Sequence, residues 1–199
     1  MHHIHHTDGI ILGSNDFSET GKYFSIFTRD LGMIYASASG VRKLSSKLRF
    51  VLQDFAYVKV DLVQGRNLWR VTSASKTNVF QNICKNSETF RVFYNIANLL
   101  KRLLAGVEKN ELLFSDLING LLILEKFATD EPAPSNETLC NLEVVIVLRI
   151  LNNLGYIGGD QFLQDLIKSP FEENLVFEVA KSKSQVLAQI NKALKETHL

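Results

Sequence analysis

From Asp8 to about Asn78 the chain alternates apolar and polar residues with period two, in runs rich in aromatic and β-branched side chains. This is the pattern of half-buried strands. Asp8–Gly13 opens the series. Lys22–Thr28 sets Tyr23, Ser25 and Phe27 against Phe24, Ile26 and Thr28, and Leu31–Ala38 sets Met33, Tyr35 and Ser37 against Ile34, Ala36 and Ala38. Arg29-Asp-Leu-Gly32 joins these two as a short hairpin connection, with glycine where a positive φ is convenient. Phe55–Val63 puts Val58, Val60 and Leu62 on one face and Tyr57, Lys59 and Asp61 on the other. After the turn cluster Gln64-Gly-Arg-Asn67, Leu68–Ser73 reads as a fifth strand. The connection from Gly40 to Asp54 is too long for a hairpin turn and has room for a short helix. Five strands with one long interruption after the third suit a small barrel of the OB type; an SH3-like barrel or a small sandwich uses the same pattern.

From about Val79 the period changes to 3.6. Phe90, Phe93, Ala97, Leu100 and Leu104 follow one helical face, and Leu113, Leu117, Leu121 and Leu124 mark a second helix. A loop with two prolines, Thr129 to Asn136, leads into Ser135, Asn136 and Thr138, each able to cap the next helix. Leu139–Leu154 is apolar nearly all round, as a central buried helix is, and Gly155 stops it. Helices around Asp160–Lys168 and Ser184–Glu196 complete a bundle of five or six. The expected class is α+β: residues 8–79 an OB-type barrel, residues 80–199 an all-helical domain. Met1-His-His-Ile-His-His6, with four of the five histidines, reads as a mobile or added end, so residues 1–7 are set aside from the fold.

Composition narrows the function classes. With 46% hydrophobic and 22% charged residues among 199, the chain is neither a disordered tail nor collagen-like. Its longest purely aliphatic run, Val144–Leu148, is far below the roughly 18 residues of a membrane span. No signal peptide opens it, and two cysteines, Cys84 and Cys140, exclude a disulfide scaffold; both read as buried packing residues. The cytosol is the expected compartment. Taken alone, the formal net charge of +1 argues against a nucleic-acid partner.

The sum hides a polarity. Residues 1–80 hold ten Lys and Arg against six Asp and Glu, a balance of +4, which leaves twelve against fifteen, or −3, beyond them. Between Asp30 and Asp54 there is no carboxylate, while Arg42, Lys43, Lys47 and Arg49 fall together in the long connection of the barrel. A mobile basic loop beside a barrel face can follow a phosphate backbone. Lys22, Lys59, Arg66 and Arg70 extend the expected path. Tyr57, sharing a face with Lys59, is the first candidate for stacking on bases, and Trp69, beside Arg70, is equally core or stacking residue.

Enzyme chemistry finds no support. Outside the N-terminal tract the sole histidine is His198, so a Ser/His or Cys/His pair lacks its imidazole. There is no phosphate-binding G-x-x-x-x-G-K-[ST] loop. The pairs Glu172-Glu173 and Asp130-Glu131 are adjacent in sequence and point apart on any regular element. No catalytic residue and no cofactor are assigned.

Several short motifs in order resemble a known family. Asp8-Gly-Ile-Ile-Leu12, Phe17-Ser-Glu-Thr-Gly-Lys22, Phe27-Thr-Arg-Asp-Leu-Gly32, Ala38-Ser-Gly-Val-Arg42 with its basic continuation, and Leu52-Gln-Asp-Phe55 resemble the N-terminal domain of RecO, the bacterial recombination mediator. The resemblance continues more faintly through the helices, to Asn-Asn-Leu-Gly-Tyr156. It implies an OB barrel followed by helices, binding of single- and double-stranded DNA, strand annealing, and loading of recombinase. The implied partners are RecR and the acidic C-terminal tail of the single-strand-binding protein; the implied location is the bacterial cytoplasm, at the nucleoid. Many RecO-like proteins carry a four-cysteine zinc module near the Leu-Gly-Tyr stop. Here no cysteine follows Cys140, so no metal and a smaller C-terminal domain are expected. Lys181, Lys183, Lys192 and Lys195 supply a local basic excess that could receive an acidic tail. A protein-interaction adaptor and an OB-fold RNA binder are the alternatives.

Overall fold

The computed structural model describes residues 3–104, 106–158 and 161–197. His198 and the start of the helix expected from Asp160 lie outside these residues. Five strands form the first part: β1 (Ile4–Asp16), β2 (Lys22–Thr28), β3 (Gly32–Ala38), β4 (Tyr57–Gln64) and β5 (Trp69–Lys76). They close into a barrel in the order β1-β2-β3-β5-β4, with β4 returning to β1. All pairings are antiparallel except β3 with β5, which touch in parallel at Ala36↔Trp69 and Ser37↔Arg70. This is the OB topology, which resolves the alternatives left by the alternation pattern.

β1 is the strand that closes the barrel. Its 13 residues exceed the predicted Asp8–Gly13 at both ends. Ile4 to Ile10 pair with Val63 to Tyr57 on β4, and Gly9 to Asp16 pair with Thr28 to Lys22 on β2, with the register shifting between Ile11 and Gly13. The expectation that residues 1–7 lie outside the fold is thereby corrected from Ile4 onward: β4 needs an edge partner, and the backbone of residues 4–7 supplies it. Histidine side chains do not prevent this, because the pairing is made by the backbone and neither His5 nor His6 has to be buried.

Inside the barrel Ile11, Phe24, Ile26, Ile34, Ala36, Val58, Val60 and Leu62 are fully or almost fully buried. These are the inward positions of the period-two pattern. The Gly40–Asp54 connection contributes Val41 and Leu52 to the same cluster. It also carries the short helix its length allows, α1 (Leu48–Val51).

The remaining helices are α2 (Ser87–Leu103), α3 (Glu111–Phe127), α4 (Asn136–Asn153), α5 (Gln161–Lys168), α6 (Glu173–Ala180) and α7 (Lys183–Glu196), preceded by a 3-10 turn Ile83–Lys85. α4 is central, packing on α2, α5, α6 and α7. Its N-cap is Ser135, whose hydroxyl accepts from the Thr138 N–H at 3.1 Å. α6 has no counterpart in the sequence reading. It is a short element whose buried side is Leu175, Val176 and Val179, and Glu173 in its first turn pairs with Lys126 on α3 at 2.5 Å. Arg149 of α4 is buried. Its guanidinium donates to the Ser169 carbonyl, lies 3.8 Å from Asp116 and sits 5.5 Å over the Phe171 ring. Burial holds its pKa below the ordinary arginine value, and Asp116 partly offsets this. Cys84 is exposed on the 3-10 turn rather than packed in a helix, and Cys140 is half-buried on α4.

The chain forms two compact units: Met1–Gln81 with Leu104–Glu111, and Asn82–Leu103 with Leu112–Leu199. The junction thus falls two residues beyond the expected 79/80, and the segment between α2 and α3 returns to the barrel unit. That return depends on Gly32. Its φ is +68°, and a Cβ there would stand 2.1 Å from the Glu108 carbonyl oxygen. Gly40 has a similar φ, +72°, but a Cβ there would meet nothing nearer than a Lys43 methylene at 3.9 Å. Gly40→Ala therefore carries the backbone strain alone, about 1 kcal/mol. Gly32→Ala adds a backbone clash and is expected to cost roughly 2–3 kcal/mol. Urea denaturation of the two variants side by side checks the difference; equal losses would remove the Glu108 contact from the account.

Candidate nucleic-acid interface

The basic loop does not hang from the barrel. It is wound into consecutive tight turns: the N–H groups of Lys43, Ser46, Arg49 and Phe50 donate to the carbonyls of Gly40, Lys43, Ser46 and Lys47 at 3.0–3.3 Å. Leu48 and Val51 pack against the barrel core that Val41 and Leu52 enter. The expected mobile loop is therefore a folded cap, because it carries enough apolar residues to anchor itself.

The anchoring places Arg42, Lys43, Lys47 and Arg49 outward, all four exposed. Arg42 and Arg49 line a cleft of about 590 Å3 together with Lys22, Leu52, Gln53 and two carboxylates, Asp16 and Asp54. Asp16 holds two of the cations side by side: its oxygens lie 3.1 Å from Arg42 Nη1 and 3.7 Å from Lys22 Nζ. Arg42 also donates to the Ser18 carbonyl at 2.8 Å. The carboxylate-free window of the sequence is thus not carboxylate-free in space. These ion pairs are solvent-exposed and so of little net stability, which leaves the cations available to a stronger polyanion. Lys76, a cation outside the sequence-predicted set, reaches Gln53 at the same cleft at 3.5 Å.

The aromatic candidates change places. Trp69 is 8% exposed and belongs to the barrel core, with His5 edge-on at 5.1 Å. The first residue of β5 points inward beside Ala36, so it offers no open face and is removed as a stacking platform. Tyr57 is half-buried, with the Phe80 ring at 5.7 Å. Burial, and next the Asp8 carboxylate, push its phenol above the ordinary tyrosine value. Lys59 lines a second cleft with Asp8, Asp30 and Asp61. Three carboxylates make this a mixed surface, so the Tyr57/Lys59 face is not continuous with the basic one.

The outer face of β2 and β3 carries two aromatic residues outside the predicted set. Tyr23 is 39% and Tyr35 50% exposed. Tyr23 is in register with Ser37, and Tyr35 with Ser25, so the two rings are diagonal neighbours on one face. Phe17, in the β1–β2 loop, stacks on Tyr23 at 4.4 Å. Arg70 is in register with Ser37 and exposed, which adds a cation to the same row. Arg66 is exposed in the β4–β5 turn. OB barrels take nucleic acid across strands 2 and 3 and the loops after strands 1 and 4. The signal is present in the sequence: the alternation sets Tyr23 and Tyr35 opposite the inward Phe24 and Ile34.

Among the described residues no group of three or more His, Cys, Asp or Glu side chains is gathered as metal ligands would be. No described helix is long and apolar enough to cross a membrane.

Comparison with known proteins agrees with the barrel. Residues 1–80 match the family model described as the recombination protein O N-terminal domain. Over 156 residues the chain is 28% identical to the DNA repair protein RecO of Caldanaerobacter subterraneus, covering 76% of this chain and 58% of that protein. It is 26% identical over 153 residues to the RecO of Desulfitobacterium hafniense and 28% identical over 153 residues to that of Heliobacterium modesticaldum, covering 77% of this chain and 52% of each. The chain therefore spans little more than half the length of these relatives. The similarity runs past the barrel into the helices, and over residues 1–80 the chain is similar to the recombination protein O N-terminal domain.

Proposed function

We propose that this is a non-enzymatic DNA-binding protein of recombinational repair that brings complementary strands together and assists recombinase loading. The observation that carries the reading is the convergence of Lys22, Arg42 and Arg49 on one cleft at the mouth of an OB barrel, with Lys43 and Lys47 exposed on the same loop. Phosphates supply most of the affinity at such a surface, and stacking adds preference for unpaired bases. The relatives' name, DNA repair protein RecO, supports the same reading. RecR and the acidic tail of a single-strand-binding protein belong to the proposal as partners. For the tail, Lys183, Lys192 and Lys195 of α7 are the cations nearest in kind.

Annealing needs no bond chemistry from the protein. Two strands repel through their phosphates, and a cationic surface that neutralises part of each lowers that repulsion. Holding bases by their flat faces leaves their pairing edges open.

If four phosphates are neutralised on a single strand, log K falls against log salt with a slope of roughly −3. Replacing Arg42, Lys43, Lys47 and Arg49 together by Ala is expected to flatten that slope and slow annealing, while Lys59→Ala leaves both unchanged. A slope unaltered in the quadruple variant removes the loop from the site. Tyr23→Ala with Tyr35→Ala is expected to weaken single-strand binding by about 1–3 kcal/mol per lost base contact and to spare duplex binding; fluorescence anisotropy with both oligonucleotides checks this. Parallel assays with RNA test the RNA-binding alternative, and salt-insensitive or absent binding to either nucleic acid would favour the adaptor.

A further inference from the structure

Two large apolar side chains of the basic loop take no part in anchoring it. Leu44 is 84% and Phe50 65% exposed. The demand for apolar anchors is already met by Val41, Leu48, Val51 and Leu52. The backbone beneath them is fixed by the turn hydrogen bonds Lys43 N–H to Gly40, Ser46 N–H to Lys43 and Phe50 N–H to Lys47. So the two side chains project from ordered positions, with exposed Lys43 and Arg49 next to them in sequence and exposed Lys47 midway between them.

A ligand that covers these side chains must offer flat apolar surface and, within a few ångströms, negative charge. A purely apolar partner would bury three cations without compensation, which is costly. Nucleic-acid bases between phosphates offer both. We propose that Leu44 and Phe50 are a wedge that enters the base stack of the bound strand, Phe50 lying on a base face and Leu44 separating the neighbouring step, while Lys43, Lys47 and Arg49 hold the flanking phosphates. Apolar side chains act in this way in proteins that unstack a base step. The inference rests on the DNA-binding reading and deepens it. The basic loop does more than neutralise charge: it separates neighbouring bases of the bound strand and holds one by its face.

The test uses the full chain and an oligonucleotide with 2-aminopurine inside an adenine run, where stacking quenches its fluorescence. Binding of the unaltered protein is expected to raise that fluorescence. Leu44→Ala with Phe50→Ala is expected to bind about tenfold more weakly with the same salt slope, and to lose the rise. Both side chains are exposed, so the variant keeps its core; its thermal transition confirms this. Phe50→Trp supplies a second readout, since an exposed indole that stacks on bases is quenched on binding. Retained fluorescence change and affinity in the double variant, or an unquenched indole in Phe50→Trp, overturn the wedge and leave the DNA reading intact. Absence of DNA binding by the unaltered protein overturns both.

Discussion

A small barrel closes only if every strand bonds neighbours on both sides, and here the ring is completed where β1 bonds β2 on one side and β4 on the other. Gly9 and Ile10 pair across to Thr28 and Phe27 on one side and to Val58 and Tyr57 on the other. The register shift between Ile11 and Gly13 gives the bend that lets one run of 13 residues serve two partners. Gly9 also lets the neighbouring strand approach: a Cβ there would fall 2.8 Å from Ile26 Cγ2. Everything at the candidate interface depends on this closure. It fixes β2 and β3 as an outer wall with Tyr23 and Tyr35 on its face. It also leaves one end of the barrel to be stoppered by the chain that connects β3 to β4.

That stopper converts a packing requirement into a functional surface. The open end exposes the inner side chains unless apolar residues cover them, and Val41, Leu48, Val51 and Leu52 do so. Covering residues and displayed residues alternate along one short stretch, so the cations are held where the stopper holds them. A loop free of the barrel would have to lose much conformational entropy on ordering around a strand. A stopper wound into turns has lost most of it on folding, and this favours binding. The cost is that Asp16 and Asp54 stand in the same cleft, as the barrel rim places them there.

How far the sequence reveals this depends on whether the deciding contact is local. β2 runs over Lys22–Thr28 as its alternation predicts, and the length of the Gly40–Asp54 connection foretells a helix, found at Leu48–Val51. The basic cluster is equally plain, since four cations without an intervening carboxylate are visible in one dimension. Misreadings arise where distant chain decides. Tyr57 looks open beside Lys59 until Phe80 comes to lie against it, and Asp8, Asp30 and Asp61 share a cleft with that cation. Trp69 reads as either face because Leu68 and Trp69 are adjacent apolar residues at the start of the predicted strand, and its inward direction goes with its pairing to Ala36. α6 escapes notice because its buried side has only Leu175, Val176 and Val179, too few to establish a helical period. The N-terminal histidines mislead by composition: a tract that looks like an appendage is ordered once backbone hydrogen bonds to β4 are available, and those bonds do not depend on side-chain identity.

The near-neutral net charge of +1 is therefore a poor guide to what the protein meets. Charges further apart than about 10 Å are largely screened at ordinary ionic strength, so a bound strand responds to the cations within a few ångströms of its phosphates. At the barrel mouth these are Lys22, Arg42 and Arg49, with Lys43 and Lys47 on the same loop. The carboxylates that cancel them in the total lie mostly beyond residue 80, and the two in the cleft have a different effect. Asp16 holds Lys22 and Arg42 together while the cleft is empty, reducing the repulsion between two like charges. A phosphate that replaces it finds both cations already placed. The carboxylate thus weakens binding by competition and improves it by pre-arrangement, and because the pairs are exposed the first effect is small.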